Sequence, residues 1–193
     1  MLRGFAVAHD IVLGEAVRYV AASAPFRHLS TPNGRRMSVA MTNCGAYGWI
    51  SDRHGYRYSA ADPESGERWP PMPAELQRLA QEAAAAGGFL GFEPDCCLIN
   101  RYATGTALSL HQDKDERDFA APIVSVSLGV PATFLFGGLR RNETPRRVPL
   151  EHGDIAVWGG PARLRYHGVA KVPAAEHPFA GSLRINLTFR RAC

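Results

Sequence analysis

The chain has 193 residues, which is enough for one sizeable domain with its own hydrophobic core. The composition is ordinary for a globular protein, and no apolar run approaches the ~20 residues that a membrane-spanning helix needs. The N-terminal residues, Met1–Phe5, precede no apolar segment of the kind found in a secretory signal. We therefore expect a cytoplasmic protein with no membrane partner.

The chain is basic, with a formal net charge of +4 and a sequence pI of about 9.1. Arginine carries almost all of the excess, since Lys114 and Lys171 are the only lysines. Guanidinium groups bind phosphates in a bidentate manner, so this composition is compatible with a nucleic-acid partner. The base composition of the source genome explains the same bias equally well. The four cysteines form no CxxC pair, so we expect neither a zinc knuckle nor a redox dithiol.

Two helices are predicted in the first half of the chain. Apolar residues at helical spacing predict one helix from His9 to Ala24, which Pro25 closes. A second helix is predicted from about Pro73 to Ala86, and the Gly87-Gly88 pair ends it. Between them, residues 30–65 are rich in Gly, Ser, Tyr, Asn and Arg. We expect long loops or a hairpin lid there, where binding residues often lie on a rigid scaffold.

From residue 95 onward the pattern changes to short extended segments separated by turn residues. The predicted strands are Cys96–Tyr102, Leu108–Gln112, Ile123–Leu128, Ala132–Phe136, Arg146–Leu150, Asp154–Trp158, Leu164–His167 and Leu183–Arg190. Many short strands at close spacing are typical of a sandwich or jelly roll. The predicted fold is α+β and mainly β, a jelly roll with the N-terminal helices packed on one outer face.

The segment His111-Gln112-Asp113 follows one of these strands. In an extended chain, residues i and i+2 point to the same face and start about 6.6 Å apart, close enough to bind one metal ion. One further histidine would complete the two-histidine, one-carboxylate set of non-haem Fe(II) oxygenases. A solvated turn at a strand end is the alternative. Spacing does not choose between His152 and His167 as the third ligand, although His152 lies in a predicted tight turn.

The last strand alternates between apolar and polar residues. Ile185, Leu187 and Phe189 share a face that must be core. The opposite face carries the polar residues Arg184, Asn186, Thr188 and Arg190. That face belongs either to a plain edge strand or to a cavity in which two guanidinium groups face an anion, because a buried arginine needs a partner. Asn100 and Tyr102 share a face in the same way, and an amide and a phenol can fix carboxylate oxygens.

Longer motifs are spread along the chain. They are Pro25–Arg27, Met37–Gly45, Leu98–Tyr102, Leu108–Glu116, Pro122–Gly129, Phe136–Leu139, Glu151–Asp154, Val157–Gly160 and Asn186–Arg190. Together they resemble the bacterial AlkB dioxygenases that repair alkylated DNA, and the similarity covers essentially the whole chain. The chain departs from this family in the loop Ala103–Ala107, where the family often has Pro and Lys. The sequence also begins, at Leu2–Phe5, within what the resemblance predicts to be the family's first strand, so we expect the family's N-terminal extension to lie outside it.

The resemblance implies a single Fe(II)/2-oxoglutarate dioxygenase domain over residues 1–193, with a nucleotide-recognition lid at 30–65 and a catalytic jelly-roll core at 95–193. It implies that Fe(II) is bound by His111, Asp113 and His167, which selects His167 over His152. The co-substrates would be O₂ and 2-oxoglutarate. Arg184, Tyr102 and Asn186 would hold the 5-carboxylate of 2-oxoglutarate, and Arg190 and Asn100 the side of its 1-carboxylate.

The activity implied is oxidative demethylation of bases such as 1-methyladenine and 3-methylcytosine, in single- or double-stranded DNA and possibly RNA, with release of succinate, CO₂ and formaldehyde. The damaged base must leave the stack, and its positive charge favours an aromatic face and a carboxylate. The residues expected to contact substrate are Trp49 as the aromatic platform, Asp115 and Glu116 as the negative charges, Met41, Tyr56 and Ser109 as the pocket lining, and Arg141 as a phosphate contact. The family also implies a monomer.

Two alternatives stay open at this point. One is a 2-oxoglutarate oxygenase that acts on RNA, a protein side chain or a lipid. The other is a jelly-roll sensor of a metal or ligand without catalysis. Paired Arg184 and Arg190 argue against the sensor, because a metal store needs no clamp for a dicarboxylate.

Overall fold

A computed structural model describes residues 1–193, and it contains two α-helices and eleven strands. The helices are α1 (Asp10–Ser23) and α2 (Ala74–Ala86), and the strands are β1 (Ala40–Gly45), β2 (Gly48–Asp52), β3 (Gly55–Ser59), β4 (Cys96–Tyr102), β5 (Leu108–His111), β6 (Ile123–Gly129), β7 (Ala132–Phe136), β8 (Arg146–Leu150), β9 (Ile155–Trp158), β10 (His167–Val169) and β11 (Arg184–Arg190). The longer helix has 14 residues, and neither helix combines the length and apolarity needed to cross a membrane.

The strands form two antiparallel sheets and a separate hairpin. The larger sheet has five strands in the order β1-β4-β11-β6-β9, and the smaller has four in the order β5-β10-β7-β8. Side chains of both sheets pack together in one apolar cluster, where Ile123 of β6 meets Phe134 of β7 and Leu150 of β8. The β2–β3 hairpin stands beside these sheets. This arrangement of two facing sheets confirms the predicted jelly roll.

Both helices pack on the outer face of the larger sheet. Leu13, Val17 and Val20 of α1 share one buried cluster with Leu76 and Leu79 of α2. The cluster continues into the apolar residues of β11, which are Ile185, Leu187 and Phe189. The prediction that helices cover one face of the sheet is confirmed. Their bounds also agree closely, since α1 begins one residue after His9 and α2 one residue after Pro73.

Strand β11 lies at the centre of the larger sheet, and all seven of its residues are buried. Its apolar side chains face the helices, as the alternation predicts. Its polar side chains therefore face the opposite way, towards the smaller sheet, and the edge-strand interpretation is wrong. Burying polar groups at the centre of a sheet costs free energy unless they find partners. The polar face of β11 lines a cavity between the two sheets.

Two segments differ from the sequence-based assignments. The region expected to hold long loops or a hairpin lid contains the β2–β3 hairpin and, in addition, β1, an edge strand of the larger sheet paired with β4. Its polar residues hide the strand pattern because they are buried with partners: the Thr42 hydroxyl donates to the Ala24 carbonyl at 2.6 Å. The segment Leu164–Tyr166 is not extended, and strand β10 begins only at His167, because a turn that ends at Leu164, with Arg165 N–H donating to the Ala162 carbonyl, bends the preceding chain.

Candidate active site

A cavity of about 640 Å³ opens between the two sheets, next to the β2–β3 hairpin. Its floor is the polar face of β4 and β11, and its opposite wall is formed by β5 and β10. Every residue to which the sequence assigns a site role lines this cavity, with the single exception of Glu116. The fold thus brings together side chains that are spread over the chain from Met41 to Arg190.

His111, Asp113 and His167 meet at one end of the cavity. Strands β5 and β10 pair so that His111 stands directly opposite His167, with ring centroids 4.4 Å apart. The Nε2 atom of each histidine lies 3.6 Å from a carboxylate oxygen of Asp113. One ligand atom from each residue falls within 4.8 Å of the others, a spacing that fits one metal ion. The other candidate, His152, lies outside the cavity and stacks on His177.

The backbone fixes the tautomers of the two histidines. The Nδ1 atom of His111 lies 2.9 Å from the Ser109 carbonyl, and that of His167 lies 3.0 Å from the Arg165 carbonyl. A carbonyl can only accept, so each Nδ1 carries the proton and each Nε2 keeps a free lone pair. Burial, followed by the neighbouring His167, lowers the pKa of His111 to about 4. A neutral imidazole with a free Nε2 is the form that binds a metal.

Asp113 is held as a carboxylate in a buried position. Burial acts to raise the pKa of Asp113, but Arg190 and then His167 outweigh it and keep the pKa well below its ordinary value. Arg190 lies 2.7 Å from the Asp113 Oδ2 atom through Nη2 and 2.9 Å through Nε. The site therefore presents two histidine Nε2 atoms and one anionic carboxylate on one side of a small space, and these donors suit Fe(II) with positions left open.

Arg184 and Tyr102 carry polar atoms that no group of the protein satisfies. Arg184 is 1% exposed, and its Nε and Nη1 atoms have no hydrogen-bond partner, while its Nη2 atom donates to the Ser127 hydroxyl at 3.1 Å. Tyr102, its neighbour across the β4–β11 pair, is fully buried with an unpartnered hydroxyl. Burial lowers the pKa of Arg184 and raises that of Tyr102. Unpaired buried donors of this kind are costly, and a carboxylate in the cavity would satisfy them.

The adjacent row of the floor is an amide network. Asn186 donates through Nδ2 to the Ser125 hydroxyl at 2.8 Å and to the Val126 carbonyl at 2.9 Å, and its Oδ1 accepts from Thr188 and Asn100. These contacts leave the Asn186 side chain one orientation. The Oδ1 atom of Asn100 and the Nη1 atom of Arg190 remain without partners. The row therefore offers further polar atoms along the cavity between Arg184 and the metal-binding triad.

Aromatic residues of the hairpin form the outer wall. Trp49 of β2 and Tyr56 of β3 stack with centroids 5.7 Å apart and planes inclined by 13°. The Trp49 indole N–H donates to the Asp115 carboxylate at 2.9 Å, which fixes the ring over the cavity mouth. Met41, on β1, lies directly across from Asn100 at the cavity base. A flat ring flanked by a carboxylate suits a planar cationic ligand.

Glu116 does not line the cavity, and this placement speaks against its expected contact with substrate. Its side chain is 1% exposed and is surrounded by Arg163, Arg190 and the hydroxyl of Tyr58. Arg163 and Tyr58 are functional candidates that the sequence did not single out. Arg163 forms an ion pair with Glu116, which lies 47 positions earlier in the chain, and no local sequence pattern predicts such a contact.

Besides the buried Arg184 and Arg190, the cavity is lined by four exposed cationic side chains: Arg35, Arg36, Lys114 and Arg141. They come from separate segments, namely the loop before β1, the loop after β5 and the turn between β7 and β8. All four are exposed, and Asp115 is the exposed acidic residue among the lining groups. A positively charged mouth around an aromatic platform attracts polyanions.

The chain matches the model of the 2OG-Fe(II) oxygenase superfamily over residues 4–190. It is 56% identical to the alpha-ketoglutarate-dependent dioxygenase AlkB of Salmonella typhimurium and 55% identical to that of Escherichia coli strain K12, in each case over 192 residues that cover 100% of this chain and 89% of the relative. Its fold is also similar to the solved structure of OsALKBH1, with a TM-score of 0.82 and 27% identity, covering 98% of this chain and 95% of that one.

Proposed function

The chain belongs to the 2OG-Fe(II) oxygenase superfamily and, within it, to the AlkB dioxygenases, and from this premise we propose that it removes N-methyl groups from nucleobases in DNA by oxidation. The protein is an Fe(II)/2-oxoglutarate-dependent dioxygenase that uses O₂ as co-substrate. The observation that carries the proposal is the stacked Trp49–Tyr56 pair beside the His111, Asp113 and His167 cluster.

His111, Asp113 and His167 would hold the iron through the two free Nε2 atoms and the Asp113 carboxylate. When bound, iron supplies with O₂ and 2-oxoglutarate the oxidising power to hydroxylate an N-methyl carbon, and 2-oxoglutarate leaves as succinate and CO₂. The protein's own contribution is to orient these reactants and to exclude water. Asp113 stays ionised for this task because Arg190 compensates its charge.

The floor of the cavity would bind 2-oxoglutarate. The unpartnered Nε and Nη1 atoms of Arg184 and the free hydroxyl of Tyr102 would donate to its 5-carboxylate. Asn100 and Arg190, which lie nearer the triad and each retain a free polar atom, would contact the 1-carboxylate side. Asn186 would keep both ends of this floor in place, because its side chain joins β11 to β6 and β4. Bidentate pairing of arginine with carboxylate fixes geometry as well as affinity.

The substrate base would stack on Trp49, with the His111 ring on its other face. Methylation at N1 of adenine or N3 of cytosine gives a cationic base, which an aromatic face and the Asp115 carboxylate both stabilise. The methylated atom lies on the pairing edge, so the base must leave the stack to enter the cavity. After hydroxylation, the N-hydroxymethyl group loses formaldehyde and the normal base is restored. Tyr56, Met41 and Ser109 would line the pocket around the base.

Nucleic acid is the partner that the charge of the mouth favours. Arg35, Arg36, Lys114 and Arg141 would contact phosphates, which carry affinity but no sequence preference. The same surface is compatible with RNA. We also propose that the protein is a monomer and that it acts in the cytoplasm. Light scattering on a sizing column would decide the oligomeric state.

The test is to supply Fe(II), 2-oxoglutarate and O₂ with single-stranded DNA that contains one 1-methyladenine. We expect formaldehyde and succinate in equal amounts, and none of either above background with unmethylated DNA in the same sequence. Succinate without formaldehyde, across methylated DNA and RNA, would overturn the proposed substrate and favour an oxygenase acting on a protein or lipid. A parallel reaction with the RNA version compares the two nucleic acids directly.

A further inference from the structure

Glu116 lies in the loop between β5 and β6, only three positions after Asp113, yet it faces the protein interior. The Tyr58 hydroxyl donates to its Oε1 atom at 2.7 Å. Arg163 Nη2 lies 3.2 Å from its Oε2 atom, and Arg190 Nε lies 3.3 Å from Oε1. The two arginines lie within ion-pair distance of this carboxylate, one against each oxygen, although Oε2 receives no hydrogen bond. Glu116 thus contacts protein groups and does not line the cavity.

The same two arginines also hold Asp113. Arg190 contacts the Asp113 carboxylate at 2.7 Å, and Arg163 Nη1 donates to the Asp113 backbone carbonyl at 2.7 Å. Asp113, Arg190, Glu116 and Arg163 thus form a closed ring of contacts. Two formal positive charges balance two negative charges in a buried space. Removing the charge of Glu116 would leave Arg163 without a carboxylate partner and Arg190 with the Asp113 carboxylate alone, and both arginines also hold Asp113 in place.

Tyr58 connects this ring to the hairpin that carries the aromatic platform. Trp49 and Tyr58 stand directly opposite each other in the β2–β3 register. Trp49 is hydrogen-bonded to Asp115, and Tyr58 to Glu116, so the hairpin contacts two consecutive carboxylates of the loop that also contains Asp113. Burial raises the pKa of Tyr58 far above its ordinary value, so its hydroxyl keeps the proton that it donates.

We propose that Tyr58 and Glu116 are positioning residues that couple the docking of a base on the β2–β3 hairpin to the placement of Asp113, through Arg163 and Arg190. A base stacked on Trp49 holds the β2–β3 hairpin against the loop that contains Asp113 and Glu116. The Tyr58 hydroxyl then keeps Glu116 in position, and with it the ring of contacts formed by Arg163, Arg190 and Asp113. The coupling to a base rests on the proposed function, whereas the link from Glu116 to Asp113 does not. Because coupling is reciprocal, metal bound at Asp113 must in turn favour base binding.

The coupling is tested with Tyr58→Phe, which removes the hydroxyl and keeps the ring. Tyr19→Phe on α1, where the side chain is 52% exposed, is the matched control. Calorimetry measures the Kd of Mn(II), in the presence of 2-oxoglutarate without turnover, with and without DNA containing 1-methyladenine. In the wild type and in Tyr19→Phe, we expect the DNA to tighten Mn(II) binding about fivefold or more. In Tyr58→Phe we expect this factor to fall towards one. A factor equal to that of the wild type would overturn the coupling.

The ring of contacts among Asp113, Arg190, Glu116 and Arg163 is tested without nucleic acid, so that the result of this experiment does not depend on the proposed function. Glu116→Gln retains an acceptor for Tyr58 but loses the charge. We expect its Kd for Mn(II) to rise about 10–100-fold, as for other groups that orient metal ligands. An unaltered Kd would overturn the positioning role even if the melting temperature falls. If Glu116→Gln does not fold, Arg163→Lys tests the same ring, because a single ammonium group cannot reach both Asp113 and Glu116. DNA that fails to bind the wild type would refute the proposed substrate alone.

Discussion

His111 and His167 stand directly opposite each other on β5 and β10, and each donates its Nδ1 proton to the carbonyl two residues before it. Strand pairing thus fixes the distance between the rings, and the local backbone fixes their tautomers. Only Nε2 of each ring is left to face Asp113. The metal site is therefore formed by the fold before any ion arrives.

This relationship predicts different outcomes for two histidine variants. His167→Ala should lose measurable Mn(II) or Fe(II) binding, because two of three ligands hold a divalent ion poorly. His152→Ala should bind metal like the wild type, since His152 lies outside the cavity and accepts a hydrogen bond from the Gly129 N–H. Calorimetry with Mn(II) distinguishes them, and a tight site in His167→Ala would contradict the assignment.

The Arg184 guanidinium, which lacks a carboxylate partner, predicts a conflict between stability and function. Arg184→Met removes a buried cation that lacks a carboxylate partner, so without ligand its melting temperature should equal or exceed that of the wild type. At the same time 2-oxoglutarate should no longer raise the melting temperature. Thermal melts with and without 2-oxoglutarate, in the presence of Mn(II), measure both effects. Undiminished stabilisation by 2-oxoglutarate would refute the role of Arg184.

Trp49 is expected to serve the base and not the co-substrate. Trp49→Ala should weaken the binding of methylated DNA by about 1–3 kcal/mol, which is the usual contribution of one stacked base. The Kd of 2-oxoglutarate should stay within about twofold, because Arg184 and Tyr102 lie at the cavity floor. Fluorescence anisotropy and calorimetry measure the two constants. Equal losses in both would identify Trp49 as a structural residue.

Arg35 and Arg36 should contribute to affinity through phosphates. The double variant Arg35→Ala, Arg36→Ala should bind single-stranded DNA more weakly, with a salt dependence of log K that is shallower by roughly 0.7 for each phosphate that is no longer neutralised. Arg18→Ala on α1 is the control, since this exposed arginine lies away from the cavity. Salt titrations of both variants make the comparison. A slope unchanged from the wild type would exclude Arg35 and Arg36 from the interface.

Asp154 predicts how acid affects stability. Burial acts to raise the pKa of Asp154, but hydrogen bonds from the N–H groups of Glu151 and Gly4 and from Arg3 outweigh it, and the net pKa is lowered. Its contribution is therefore present above the unfolded pKa of about 3.9 and is lost as pH falls through the folded value. Asp154→Asn should cost about 1–3 kcal/mol at pH near 7 and less at pH near 3. Urea unfolding at both pH values measures this; a difference that grows in acid would contradict it.

Much of this fold was predictable because short-range patterns carry it. The alternation in β11 predicted which side chains face the helices, and the apolar cluster that Ile185, Leu187 and Phe189 share with both helices confirms it. Strand β1 was not predicted because Thr42 and Asn43 are polar residues, and polar residues in a sequence usually indicate a loop. In the structure both are buried, and their side chains find hydrogen-bond partners inside the protein.

The candidate site divides in the same way. The spacing of His111 and Asp113 indicated half of a metal site, whereas the third ligand depended on the family resemblance, since distance along the chain does not separate His152 from His167. The ring that joins Glu116 to Arg163 was not predictable, because its partners come from different strands and loops. Glu116 looked like a substrate contact from its neighbours in sequence and is turned inward by two arginines.

We propose that this protein demethylates nucleobases with iron held by His111, Asp113 and His167. Each demethylation must make the methylated DNA strand lighter. The most direct test is the mass of a DNA strand containing one 1-methyladenine, recorded before and after incubation with Fe(II), 2-oxoglutarate and O₂. The wild type should convert the strand to a product lighter by one CH₂ unit, while Asp113→Ala leaves the mass unchanged. A strand that keeps its mass with the iron-loaded wild type, or loses CH₂ equally with Asp113→Ala, would contradict this assignment.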